Sequence, residues 1–207
     1  CAFDLRDFFH SIGAAQIHAL WRTLGYPVGI AHHLTALTTV VTPTLVRERL
    51  RDEGCIDWAQ AKRLAQPHLA QGASTSPALA NLCAFRLDLR LTYLAERFGA
   101  RYSRYADDLV FSGSKGLSRN FAALRGWVSG IAADEGFALH PDKTRCMPDH
   151  ARQRITGLVV NERPNMPREQ YDLLRAQLHR LALQPSVSQE QFAKVQGSVA
   201  WACQAVN

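Results

Sequence analysis

Apolar positions along this chain recur at two spacings, short alternating or continuous runs and longer stretches with a period near 3.6. The run at 2–5, Ala2-Phe3-Asp4-Leu5, reads as the end of a buried strand. Residues 14–24 place Ile17, Leu20, Trp21 and Leu24 on one helical face, closed by Gly25. A second helix is expected over 28–41. Two short, Arg-rich helices follow near 45–52 and 58–64, and their polarity marks 42–68 as a surface insertion. Ser76-Pro77 predicts a helix start, a capping hydroxyl and then proline, for a helix running to about 98 and stopped by Gly99. Strands at 101–105 and 109–112 flank Ala106-Asp107-Asp108, the pattern of a hairpin. Ser118 is expected to cap a helix that buries Phe121, Leu124, Val128 and Ile131, and 155–161 reads as another strand. Pro167 opens a helix with Tyr171, Leu174, Leu178 and Leu181 as its core stripe, and Ser188 with Gln191 forms a capping box for the last helix. The mixture predicts one α+β domain followed by a small helical region.

Composition narrows the class. The 207 residues are 47% hydrophobic and 20% charged, as in an ordinary globular protein. The longest apolar stretch, 30–41, is interrupted by His32, His33 and several Thr, so no membrane helix is expected. Five cysteines at 1, 55, 83, 146 and 203 form no C-x-x-C pair, which points to reduced thiols in a cytoplasmic protein rather than to disulfides or zinc. Adjacent His32 and His33 point to different sides of a helix and are a poor metal pair. The net charge of +6 suits a polyanionic partner without identifying one. The chain starts at Cys1 directly on a strand-like run, the pattern of a piece cut from a longer polypeptide.

Candidate chemistry lies in Tyr105-Ala106-Asp107-Asp108. Asp is common in turns, and an exposed acidic turn is the simplest reading. The flanks here are apolar, however, and adjacent carboxylates emerging from a buried sheet repel unless a cation sits between them. Asp4 ends another apolar run; it is either a helix cap or a third carboxylate converging on the same point. Such an oxygen-rich site suits magnesium, which takes one or two carboxylates plus substrate phosphates.

The segments around these residues resemble the motifs of bacterial reverse transcriptases. Asp4-Leu5-Arg6-Asp7-Phe8-Phe9-His10-Ser11-Ile12 resembles the first motif, and Gln71-Gly72-Ala73-Ser74-Thr75-Ser76-Pro77 with Ala78-Leu79-Ala80-Asn81 the second. Tyr105 to Asp108 matches the Y-x-D-D box. Gly136-Phe137-Ala138-Leu139-His140-Pro141-Asp142-Lys143-Thr144 resembles the fourth motif, and Ile155-Thr156-Gly157-Leu158-Val159-Val160-Asn161 the fifth. The last phrase is most similar to the retron type, with Ile155 in place of valine. The resemblance implies a right-hand polymerase palm over 1–165, motifs A to E, and the start of a helical thumb over 166–207. It implies RNA-directed DNA synthesis by two magnesium ions, with manganese as a substitute. Asp4, Asp107 and Asp108 are then the metal ligands, Asp4 and Asp107 the tighter pair. Lys143 serves the leaving pyrophosphate, and Phe9 is the gate against ribonucleotides. Leu5, Gln71, Gly72 and Tyr105 complete the nucleotide-binding set. The implied partners are an RNA template with its RNA/DNA primer duplex, deoxynucleoside triphosphates, a structured non-coding RNA and an effector protein, in retron DNA synthesis and phage defence.

Departures from the pattern are Ala70 and His10, each where proline is common, and a long stretch between Val41 and Gln71. The family's fingers lie before the first motif and its thumb extends further, so this stretch alone is expected not to polymerise. Group II intron, CRISPR-associated and other defence reverse transcriptases share these motifs. A palm-fold nucleotide cyclase would carry a different turn from Y-A-D-D. A non-catalytic RNA-binding scaffold would be expected to have lost one of the three aspartates.

Overall fold

A computed structural model describes residues 1–184, 186 and 188–205. The chain forms two compact units, Cys1–Arg145 and Cys146–Asn207, a division that falls ahead of the domain boundary expected at 165. In the first unit, β1 (Ala2–Arg6) is followed by α1 (Phe8–Ser11), α2 (Ala14–Thr23), α3 (Val28–Thr38), α4 (Thr44–Asp52), α5 (Trp58–Leu64), α6 (Ser76–Cys83) and α7 (Phe85–Arg97). The hairpin β2 (Ala100–Tyr105) and β3 (Asp108–Gly113) comes next, then α8 (Lys115–Arg119), α9 (Phe121–Asp134) and β4 (Ala138–Leu139). A 3₁₀ turn over Pro141–Lys143 closes the unit. The second unit contains the short hairpin β5 (Arg154–Ile155) and β6 (Leu158–Val159), then α10 (Arg168–Ala182) and α11 (Gln189–Ala205).

The main sheet is antiparallel with strand order β2-β3-β1-β4. Phe3 and Leu5 of β1, and Leu109 and Phe111 of β3, are buried to 1% exposure or less, which places these strands in the middle of the core. Phe3 meets Phe111 edge-on at 5.7 Å and stacks on Phe121 at 5.8 Å. Leu87, Leu91 and Leu94 of α7 and Leu124, Val128 and Ala132 of α9 supply helical stripes to the same core. Strand β2 alternates, with Arg101, Ser103 and Tyr105 outward, as an edge strand with one wet face should.

Several expected boundaries differ. The helix starting at Val28 ends at Thr38 rather than 41. Thr35, Thr38 and Thr39 turn their hydroxyls back onto carbonyls four residues earlier, and Val40 leaves the helix to pair with His68. Leu24 lies past the end of α2 and is 52% exposed. The helix from Ser76 bends at Ala84, so that Leu79 and Ala80 on one side and Leu87 and Leu91 on the other all reach the core. Thr75, not Ser76, holds the N-cap position, and no side-chain cap forms there. Ser118 lies inside α8, its hydroxyl donating to the Lys115 carbonyl, and α9 starts after Asn120.

In the second unit the strand expected at 155–161 is a hairpin. Thr156 and Gly157 take φ of 46° and 89°, the backbone of a two-residue turn. Of the α10 stripe only Leu174 is buried, while Tyr171 and Leu178 are 56% and 43% exposed. The Ser188–Gln191 capping box forms in both directions, at 3.3 Å. Among the described residues no disulfide forms, and no helix is long and apolar enough to cross a membrane.

Candidate active site

Strand pairing brings the acidic residues together across a long sequence separation. Asp4 in β1 stands directly opposite Asp108 in β3, and the β2–β3 turn between Tyr105 and Asp108 carries Ala106 and Asp107. Like charges directly opposite on a ladder destabilise it. Backbone bonds fix the arrangement: the Leu5 amide donates to the Asp107 carbonyl at 2.9 Å, and the His140 amide to the Asp4 carbonyl at 2.7 Å. Ala106 has φ of 52°, a left-handed conformation that an alanine adopts only when held. Arg104 holds it. Its side chain, 6% exposed, donates to the Ala106 carbonyl at 3.0 Å, to Asn81 at 3.0 Å and to both oxygens of Asp88 at 2.7 and 2.6 Å. Tyr102 donates to the same Asp88 carboxylate at 2.8 Å, and burial, with the charge of Asp88, pushes its hydroxyl pKa up.

Two clefts open beside the hairpin. The larger, about 460 Å³, is lined by Asp4, Leu5, Asp107, Lys143 and neighbours from β1, α5 and the 3₁₀ turn. The smaller, about 180 Å³, includes Asp4, Asp108, Lys143 and Arg145. Asp4 therefore borders both, whereas Asp107 and Asp108 face one each. Lys143 donates to both Asp4 oxygens, at 3.1 and 3.3 Å, and this bond raises its pKa. Burial, then the charges of Asp107 and Asp4, raise the Asp108 pKa. Among the described residues no three His, Cys, Asp or Glu side chains stand close enough to form a metal cage. A cation nonetheless fits the chemistry. The three carboxylates repel one another, and Asp4 already binds one positive group in Lys143. Hard oxygen donors of this kind suit an ion that takes its remaining ligands from water and phosphate, as magnesium does.

The other expected site residues lie apart from these clefts. Phe9 packs half-buried against Phe8, ring centroids 5.4 Å apart. Tyr105 is 73% exposed. Gln71 and Gly72 lie on an exposed turn, where Gly72 takes φ of 92°. Conversely, Arg6, Asp7, Gln60, His140, Pro141 and Asp142 line the larger cleft without having been singled out as site residues. Only their position next to the motif aspartates and Lys143 hinted at this, and for Gln60 no sequence signal exists.

Comparison with known proteins identifies the family. Residues 1–160 match the family model described as reverse transcriptase (RNA-dependent DNA polymerase). The chain is 37% identical to the Retron Mx65 reverse transcriptase of Myxococcus xanthus over 86% of its length and 40% of that protein's. It is 36% identical to the Retron Mx162 reverse transcriptase of the same organism, covering 96% of the chain and 42% of the relative. It is 30% identical to the Retron Ec86 reverse transcriptase of Escherichia coli, over 86% and 48%. The chain thus spans less than half the length of these relatives. A match of this extent, with relatives that all carry the retron name, places the chain in the reverse transcriptase (RNA-dependent DNA polymerase) family, retron type.

Proposed function

We propose that this chain carries the catalytic centre of an RNA-directed DNA polymerase that extends a primer 3′-hydroxyl on an RNA template. The observation that supports this most is the junction of β1 with the β2–β3 turn, where Asp4, Asp107 and Asp108 border two adjoining clefts with Lys143 between them. Asp4, Asp107 and Asp108 would hold two divalent ions, magnesium with manganese as a substitute, which supply charge neutralisation at the attacking and leaving oxygens of an in-line displacement. Asp4 and Asp107, on the larger cleft, form the tighter pair. The primer 3′-hydroxyl gives up its proton to solvent as its oxygen bonds the α-phosphorus and the bond to pyrophosphate breaks. Lys143, kept protonated by Asp4, is placed to give its proton to that leaving group. Phe9 acts as the sugar gate, and Leu5, Gln71, Gly72 and Tyr105 form the rest of the nucleotide site as the template-primer closes over it.

In this reading residues 1–165 are the palm, 42–68 an insertion within it, and 166–207 the start of the thumb. The hybrid is gripped through its backbone, so affinity falls as salt rises. The retron names of the relatives favour a retron enzyme over an intron or CRISPR-associated one. To this we add a cytoplasmic setting, a structured non-coding RNA as template and an effector partner in phage defence. The test is deoxynucleotide incorporation on primed RNA by the full-length protein with magnesium, beside Asp107→Ala with Asp108→Ala. Incorporation by the parent and none by the double variant is expected. Equal signal from both would sink the assignment of the centre.

A further inference from the structure

The larger cleft has a wall that the polymerase reading leaves unexplained. Gln60 and Arg63 of α5 reach across more than fifty residues of sequence to one side chain, Asp7, which follows β1. Gln60 Nε2 donates to both Asp7 oxygens at 3.0 Å, and Arg63 Nη1 donates to Oδ2 at 3.0 Å. The other end of the Gln60 amide caps its own helix, accepting from the Asp57 amide at 2.9 Å. Arg6 pairs with Asp57, a second tie between the end of β1 and α5. Asp7 sits in the left-handed region, φ 52° and ψ 39°, which aspartate and asparagine adopt more readily than most non-glycine residues. That turn sets the direction of the chain between Asp4 and the Phe8–Phe9 pair.

The charges around the cleft explain why the turn is held. Four acidic side chains, Asp4, Asp7, Asp107 and Asp142, line it against two basic ones, Arg6 and Lys143. A nucleoside triphosphate is itself strongly anionic. Asp4 is matched by Lys143, while Asp7, whose side chain is 20% exposed, is matched chiefly by Arg63 from α5.

We propose that Gln60 and Arg63 are positioning residues for nucleotide binding: they lock the Asp7 turn and neutralise its carboxylate, so that the cleft accepts a triphosphate. The proposal rests on the polymerase reading. Asp4 and Asp107 are tied by backbone bonds from Leu5 and His140 that do not involve α5. Opening the clamp therefore weakens nucleotide binding and spares the chemical step.

The test is steady-state incorporation of a single deoxynucleotide on primed RNA with magnesium by the full-length protein, reading KM and kcat separately. Arg63→Met is expected to raise the nucleotide KM on the order of tenfold, the scale of one uncompensated charge under partial screening, with kcat within about twofold. Arg63→Lys keeps the parent's KM. Adding Asp7→Asn to Arg63→Met removes the stranded charge while asparagine tolerates the left-handed turn, and KM returns to near the parent value. An unchanged KM in Arg63→Met, or no recovery in the double variant, overturns the proposal. Should Arg63→Met fail to fold, Gln60→Glu sets a second carboxylate against Asp7: KM must rise and Asp7→Asn must reverse it, or the clamp is wrong. A parent that incorporates nothing sinks the polymerase reading and the clamp with it. An active parent with insensitive variants sinks the clamp alone.

Discussion

Replacing Arg104 with alanine tests how the Y-A-D-D turn is held. The guanidinium is 6% exposed, spends four hydrogen bonds on Asp88, Asn81 and the Ala106 carbonyl, and lies 5.5 Å from the Phe8 ring centroid. Breaking a buried ion pair by removing one partner costs about 3–5 kcal/mol. Asp88 is 30% exposed and keeps its bond from Tyr102, so water and Tyr102 recover part of that, leaving about 2–4 kcal/mol. For a domain of about 150–250 residues that unfolds as one unit, this corresponds to a fall in melting temperature of roughly 5–15 °C. Urea unfolding of the full-length protein, followed by circular dichroism, measures the loss. A cycle with Asp88→Ala should show a coupling of at least about 1 kcal/mol between the two residues. Incorporation at a temperature where the variant is still folded should fall too, because Ala106 loses the donor that keeps it left-handed next to Asp107. A loss below about 1 kcal/mol with additive single variants would refute the claim that Arg104 anchors the turn.

Burial pushes the Cys83 thiol up to about 11, so Cys83 should resist iodoacetamide at pH 8 while the exposed Cys55 and Cys203 react, as peptide mass spectrometry would show. Burial, then His68, lowers the His10 pKa below its ordinary 6.5, and Arg63 adds to this while Asp7 opposes it. The unfolded chain then binds more protons than the folded one just below pH 6.5, so His10 removes stability as pH falls through that value. Urea midpoints from pH 7.5 to 5 should decline, and His10→Gln should flatten the slope. Thr156 occupies a left-handed turn position at φ 46°, where asparagine is better tolerated. Thr156→Asn should stabilise the β5–β6 hairpin by about 0.5–1 kcal/mol, read from amide exchange across it.

The sequence exposes elements whose signals are local. Strand β1, the β2–β3 hairpin and the helices α4 and α5 lie within a residue or two of where alternation and apolar period put them. The capping box at Ser188 is a local pattern and forms. Errors arise where tertiary contacts override a local preference. Val40 joins His68 instead of extending α3. Ala84, with neither glycine nor proline to announce it, marks the bend between α6 and α7. The site divides in the same way. Asp4, Asp107, Asp108 and Lys143 stand in recognisable motifs, and the structure gathers them around two clefts. Gln60 and Arg63 stand in a stretch read as a surface insertion, and only the fold shows both of them bound to Asp7. Arg104 was hidden for a different reason: in an edge strand an arginine looks like a solvent-facing residue, and nothing local announces Asp88 as its partner.

Strand β1 precedes both of its neighbours in sequence yet is central in its sheet, with β3 on one side and β4 on the other. Asp4 must wait for Asp108 to be synthesised before the ladder between them can close. At about 5–20 residues per second, that is roughly 5–20 s on the ribosome during which β1 lacks both β3 and β4. Contacts so distant in sequence also slow folding after release. Within that interval Ala2-Phe3 and Leu5 form an apolar, strand-prone segment without the two strands that cover it in the fold, a target for chaperones. Asp4, proposed above as a metal ligand, is therefore carried on a strand that waits for its neighbours, and the yield of folded protein should follow chaperone supply and translation rate as well as final stability.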